Sequence, residues 1–161
     1  MQNRDEIVYR RVKLSDVTAL VDYRVRFLNE LHSHVENDET RVVRESLLRY
    51  LAKAIRSGDF VAWIAERNGK IVATSGMVVW QKPTGYGGVE SGRLGYLLNF
   101  YTVPEERGKG IATRLLNELI KEARLLGLRY LHLHASKAGE PIYRKAGFKE
   151  PNMPELALTL E

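Results

Sequence analysis

Two runs dense in β-branched and aromatic residues, at 60–66 and 71–80, are separated by Asn68-Gly69. Both turn positions of the tightest hairpins need positive φ, which Asn and Gly adopt readily, so this junction predicts two adjacent antiparallel strands. A hairpin of this kind must bury its apolar faces, and the flanking sequence shows what is available to cover them. Upstream, a short strand at 7–12 precedes Ser15 and Asp16, a helix start with an acid at its positive end. Val17, Leu20, Val21, Phe27, Leu28 and Leu31 follow at helical spacing. After a polar stretch at 33–40, a second amphipathic helix is predicted over 41–57, with Val43, Leu47, Leu51, Ala54 and Ile55 inward and Gly58 at its end.

Downstream, Pro83, Gly85, Gly87, Gly88 and Gly92 predict a mobile loop over 81–92, and a strand follows over 94–103 until Pro104. Ala112, Leu115, Leu116, Leu119, Ile120 and Ala123 share one face of a helix over 108–126. A strand over 129–135, a short helix over 138–146 closed by Gly147, and a last strand over 155–160 complete the reading. The order β-α-α-β-β-β-α-β-α-β describes a mixed α/β sandwich in one domain, 1–161. Its sheet is mostly antiparallel, with one parallel β-α-β unit of right-handed crossover, and helices flank it.

With 161 residues, 44% of them hydrophobic, the chain is long enough to bury one core without staples. It has no cysteine, which excludes disulfides, thiolate metal sites and a cysteine nucleophile, and fits a cytoplasmic location. The polar first residues do not form a signal peptide, and no apolar run approaches the ~18 residues of a membrane span. The net charge of +5 is spread along the chain without a basic block or nucleic-acid motif. Neither nucleic acid nor a membrane is therefore expected as a partner.

Chemistry concentrates where the strand ending at Val103-Pro104 joins the next helix, in Glu105-Glu106-Arg107-Gly108-Lys109-Gly110-Ile111-Ala112-Thr113. A helix start offers unpaired N–H groups and a positive dipole end, a ready cradle for phosphate. Gly108 and Gly110 let an anion approach those amides, and Arg107 and Lys109 add charge, so a diphosphate is the natural guest. A P-loop would require Ser or Thr after the lysine, where Gly110 stands. The dinucleotide fingerprint would require a small residue where Thr113 stands.

Arg107-x-x-Gly110-x-Ala112 after such a strand resembles motif A of the GNAT N-acetyltransferases. Pro141-Ile142-Tyr143-Arg144-Lys145-Ala146-Gly147-Phe148 resembles that family's second conserved block, a short helix ending in Gly-Phe. The order of elements matches over nearly the whole chain. The resemblance implies acetyl-CoA as cosubstrate, an amine of a small molecule or peptide as acceptor, and direct transfer in a ternary complex. It implies that Arg107, Gly108, Lys109, Gly110, Ile111, Ala112 and Thr113 hold the pyrophosphate. It further implies that the backbone at Tyr101, Thr102 and Val103, with Ser136, meets the pantetheine arm, and that Tyr143 is the general acid. The alternative within the same resemblance is a CoA-binding module without turnover.

The acid role has a chemical basis. The departing thiolate needs a proton, and a phenol with a reference pKa of about 10 is protonated at neutral pH. The base is not evident, because the strand before motif A offers Tyr96, Asn99 and Tyr101 but no carboxylate. Glu30, His34 and Glu90 are candidates on the amine side, with ordered water as another route. His132 and His134 alternate on one strand face, and without a third ligand nearby in sequence they do not make a metal site. Trp63 and Trp80 fit packing positions. Glu30, Glu36, Asp38, Glu39 and Glu90, in the segments expected to set specificity, suit a cationic acceptor. The last predicted strand would be a sheet edge through which a homodimer could form.

Overall fold

The computed structural model describes residues 6–33, 37–83 and 92–160. Its five strands are β1 (Ile7–Arg11), β2 (Phe60–Arg67), β3 (Lys70–Gln81), β4 (Arg93–Thr102) and β5 (Leu131–His132). The sheet order is β1-β2-β3-β4-β5, antiparallel throughout except for the parallel pair β4–β5. Four helices pack around it: α1 (Val17–His32), α2 (Asp38–Ser57), α3 (Ile111–Leu125) and α4 (Glu140–Lys145).

β2 shows why the hairpin organises the rest. Phe60, Ala62 and Ile64 point to one face and meet Leu20, Val21 and Val25 of α1 with Leu51 and Ala54 of α2. Val61 points to the other face and meets Leu116, Leu119 and Ala123 of α3. A strand covered on both faces is apolar at nearly every position, as this one is. Asn68 and Gly69 take the positive φ values that the hairpin turn requires.

Several expected boundaries move. Ser15 does not cap α1; residues Leu14–Asp16 form a 3₁₀ turn, and the Asp16 carboxylate accepts from the Lys13 N–H at 2.7 Å while pairing with Arg10. α2 begins at Asp38 rather than 41, because the Asn37 side chain accepts from the Thr40 N–H. α3 begins at Ile111, since Gly108 and Gly110 both adopt left-handed φ. α4 is shorter than expected.

Two corrections matter more. The strand expected over 129–135 is reduced to Leu131–His132, because β4 offers it a partner only at Gly95 and Tyr96. The strand expected over 155–160 does not form, and with it goes the edge proposed for a homodimer. Leu156, Leu158 and Leu160 keep their alternating pattern but stand 84–88% exposed, with no strand among the described residues beside them. Alternation supplies one apolar face; a strand also needs a backbone partner. The glycine-rich loop lies largely outside the described residues.

These assignments predict an asymmetry in stability. Leu116→Ala, at a fully buried position facing the sheet, should cost about 2–5 kcal/mol in urea unfolding. Leu158→Ser should change it by less than about 0.5 kcal/mol; a cost like that of Leu116→Ala would show that the tail belongs to the core.

Candidate active site

The loop joining β4 to α3 opens with a 3₁₀ turn at Pro104–Glu106, closed by the Arg107 N–H on the Pro104 carbonyl. Gly108 (φ 76°) and Gly110 (φ 78°) then reverse the chain, and Gly110 is the N-cap of α3. A side chain at either position would strain the backbone, while the space where its Cβ would stand is empty to 4 Å. Ile111 is buried and anchors the helix start. Among the described residues, no protein oxygen is recorded accepting from the N–H groups of Gly108 through Thr113; the first helical bond is Arg114 N–H to the Gly110 carbonyl. Lys109, Gly110, Ile111, Ala112 and Thr113 thus present a run of unclaimed donors at the positive end of a 15-residue helix.

The cations of this loop are already engaged. Lys109 Nζ lies 3.0 Å from Glu106, whose buried carboxylate also takes a two-point contact from Arg67. Arg67 first, then Lys109, hold the Glu106 carboxyl below its ordinary range. The Arg107 guanidinium reaches the Glu30 carboxylate of α1 at 2.8 Å and donates through Nε to the Thr102 carbonyl, also at 2.8 Å. The other oxygen of Glu30 accepts from the Tyr101 hydroxyl at 2.6 Å. Burial, followed by this hydrogen bond, pushes the Tyr101 phenol up to about 12. Glu30, a candidate on the amine side, is therefore tied to two residues of the expected cofactor side. The signals for Arg67 and for the Glu30 contacts are long-range, with no local sequence pattern behind them.

β4 carries a bulge that sequence reasoning did not find. Gly76 of β3 pairs with Leu98 and Thr74 with Tyr101, so Asn99 and Phe100 face the single residue Ser75. Asn99 sits at φ 59°, its carbonyl accepts from the Thr74 hydroxyl, and its side-chain Oδ1 is buried without a partner among the described residues. Beyond Tyr96 and His132, β4 and β5 no longer pair, and a fork opens between them. Tyr101 and Thr102 form the far end of β4's contribution to that fork. Val103 has its N–H on the Val72 carbonyl, and its own carbonyl accepts from the Glu106 N–H.

On the α3 side of the fork, Tyr143 of α4 is held edge-on by Phe100 at 5.6 Å and Phe148 at 5.9 Å between ring centres. Its hydroxyl has no hydrogen-bond partner among the described residues. Burial alone pushes this phenol up to about 12. Ser136 caps the approach to α4, its side chain and carbonyl both accepting from the Gly139 N–H. An ideal Cβ at Gly139 would lie 3.3 Å from the Tyr143 ring, so Ser136, Gly139 and Tyr143 form one packed corner.

Among the described residues, the acids expected to favour a cationic acceptor are divided, with Glu30 tied to Tyr101 and Arg107. Asp38 and Glu39 occupy the first turn of α2, where the helix dipole favours acids. Glu39 also lines a cleft of about 240 Å³ between α1 and α2, with Val25, Asn29, His32 and Thr40. Glu36, His34 and Glu90 lie outside the described residues. Among those described, no cluster of three His, Asp or Glu side chains suits a metal, and no helix is long and apolar enough to cross a membrane. Trp63 donates to Glu122 of α3, and Trp80 stacks on Tyr96.

The geometry predicts that Glu30→Gln lowers the midpoint of Tyr101 ionisation from about 12, because the carboxylate charge that penalises the phenolate is removed. Spectrophotometric titration against a Tyr101→Phe control reads this directly. An unmoved midpoint would leave burial as the sole cause.

Comparison with known proteins gives a consistent picture. The family model described as "Acetyltransferase (GNAT) family" matches residues 24–148. A predicted acetyltransferase from Clostridium acetobutylicum, solved with acetyl-CoA, is 35% identical, with 94% of this chain and 96% of that one covered at a TM-score of 0.84. A GCN5-related N-acetyltransferase from Ralstonia eutropha JMP134 superposes at a TM-score of 0.82 and 22% identity, covering 95% and 99% of the two chains. The glucosamine-6-phosphate N-acetyltransferase of Arabidopsis thaliana superposes at 0.67 and 18% identity, covering 96% and 99%, a likeness of fold. No curated protein matches the sequence.

Proposed function

We propose, from the premise that this chain belongs to the acetyltransferase (GNAT) family, that it moves an acetyl group from acetyl-CoA to a primary amine of a small molecule or peptide. The observation that carries the reading is the run of unclaimed N–H groups from Gly108 to Thr113, at a helix start with open space over two left-handed glycines. A diphosphate fits that cradle in charge and in hydrogen-bonding capacity. The open edge of β4 beyond Tyr96 supplies backbone groups for an amide-bearing arm, as an added strand would. At the far end of that edge both backbone groups of Val103 and the carbonyl of Thr102 are already engaged within the protein. Tyr143 packs on Phe100 of β4, and Ser136 sits in the same packed corner at the turn before α4, which supports a place for both along the arm.

Acetyl-CoA supplies an activated acyl group as a thioester. The chain's own residues then have three tasks. The loop amides fix the diphosphate, the fork aligns amine and acyl carbon, and Tyr143 delivers a proton to the departing sulfur. Alignment is the largest contribution, because it converts a bimolecular encounter into an oriented one. With its phenol raised to about 12, Tyr143 remains protonated at neutral pH and is a donor throughout the working range. An amine is the acceptor this machinery suits, since once neutral it needs no further activation to attack a thioester.

Calorimetric titration with acetyl-CoA tests the binding half. Wild-type protein should bind, and Gly110→Trp should not, because a bulky residue in a left-handed N-cap fills the cradle. Tyr143→Phe should keep acetyl-CoA affinity and lose about 100-fold or more in kcat, read as thiol release. Binding without thiol release across an amine panel would indicate a silent CoA-binding module. Absence of binding would reduce residues 107–113 to a well-formed helix start.

A further inference from the structure

Tyr96 is the last residue of β4 that pairs with β5, and so stands where the fork begins. Its ring packs on the α1–α2 face of the sheet, whereas Tyr143 packs with the α3 cluster on the opposite face. The Tyr96 hydroxyl lies 2.7 Å from His134 Nδ1, and His134 Nε2 lies 2.9 Å from a carboxylate oxygen of Glu155. A carboxylate only accepts, so in the neutral imidazole Nε2 carries the proton, Nδ1 presents its lone pair, and the phenol donates to it. Trp80 of β3 stacks on the Tyr96 ring at 4.9 Å, nearly parallel, and fixes its direction. The charges facing the phenol are Arg24 from α1 and Glu155 from the C-terminal segment. Burial first, then Glu155, raise its pKa, and Arg24 opposes them. The arrangement of hydroxyl, oriented imidazole and carboxylate has the logic of a triad in which the imidazole takes the hydroxyl's proton.

We propose that Tyr96 accepts the proton of the incoming amine while passing its own phenolic proton to His134, with Glu155 holding the imidazole in register. The assignment rests on the acetyl-transfer reading above and supplies the base that β4 lacks among its acids. An ammonium acceptor loses one proton to the Tyr96 oxygen as the phenolic proton moves to Nδ1, leaving an imidazolium opposite Glu155. The nitrogen–carbon bond forms and the carbon–sulfur bond breaks. Tyr143 gives its phenolic proton to the departing sulfur, and the second proton shed by the nitrogen returns to the Tyr143 oxygen, so one proton is left over. The relay's proton leaves to solvent from His134, whose side chain is 64% exposed. Tyr96 is the catalytic residue of this set, and His134 and Glu155 act through it.

Two measurements test the relay in the full chain. The first compares ethylamine, protonated at pH 7, with 2,2,2-trifluoroethylamine, largely neutral there, as surrogate acceptors. The ratio of ethylamine to trifluoroethylamine turnover should fall about 100-fold in Tyr96→Phe and in His134→Asn, and less in Glu155→Gln. Equal losses with both amines would assign these residues a structural role and overturn the relay. The second is NMR of isotope-labelled histidine, with and without CoA. His134 should show the Nε2–H tautomer, with a hydrogen-bond shift at Nδ1 that Tyr96→Phe removes. The opposite tautomer, or a ring indifferent to Tyr96→Phe, would overturn the relay without any turnover. Calorimetry separates the two proposals: wild-type protein that fails to bind acetyl-CoA overturns the acetyl-transfer reading, while the NMR result stands by itself.

Discussion

Everything placed at the site depends on one interruption of backbone hydrogen bonding. β4 stays bonded to β3 along its inner edge, but on its outer edge it is partnered by β5 only at Gly95 and Tyr96. The bulge at Asn99 adds one residue to β4 without a counterpart on β3, and a bulge bends its strand and raises local twist. The bulge is held in place by the Thr74 hydroxyl on the Asn99 carbonyl. Its cost is visible in the same residue, which combines a left-handed backbone with a buried, unpartnered Oδ1. An orphaned buried acceptor costs about 1–3 kcal/mol, a large share of a net stability of about 5–15 kcal/mol. The hairpin and the α3 interface must carry that cost, and the residue that bears it sits beside the fork; the other irregularity of the sheet lies in the β2–β3 pairing, between Ala65 and Glu66.

The charges around the proposed diphosphate cradle are arranged for position more than for raw attraction. Arg67, Arg107 and Lys109 each already face a carboxylate, Glu106 or Glu30. These contacts fix the loop from two directions. Glu106 ties it to β2 through Arg67, and Glu30 ties it to α1 through Arg107. The exposed pairs contribute little stability by themselves. Attraction for the proposed diphosphate therefore comes chiefly from backbone N–H groups without a partner among the described residues, with the cations setting the loop's shape and excess charge. Because Glu30 also holds the Tyr101 hydroxyl, α1 and the end of β4 are coupled at the same carboxylate.

The parts of this architecture legible in the sequence are those set by local rules. Asn68-Gly69 fixed the β2–β3 turn by its backbone preference, and the 3.6-residue spacing of Leu115, Leu116 and Leu119 marked the face of α3 that is now fully buried. Motif A was legible because Gly108 and Gly110 are needed for a left-handed turn at a helix start, a requirement contained in a few consecutive residues. The bulge was not, since Asn99 reads as an ordinary strand residue until its register against β3 is known. The terminal strand was misread for the complementary reason. Leu156, Leu158 and Leu160 carry the correct period, but the edge they would need is not available within the described residues. Arg67–Glu106 and Tyr96–His134–Glu155 join segments far apart in sequence, and no local signal announces them.

In the proposed mechanism, the two faces of the fork divide the proton chemistry between them. Tyr143 is enclosed by Phe100 and Phe148, has no charged partner, and is raised by burial alone, so its environment favours keeping a proton until a basic atom arrives. Tyr96 differs in having a second group already aligned to receive its proton, and that group is open to solvent. Enclosure suits a donor that must not leak its proton to water, and exposure suits an acceptor that must discharge one after each cycle. A buried triad stabilises its imidazolium strongly but releases the proton through the reaction itself. An exposed one gives up part of that stabilisation to solvent screening and gains a direct route to bulk water. The net reaction of an ammonium with a thioester releases one proton, so an exposed terminus is the arrangement the stoichiometry calls for.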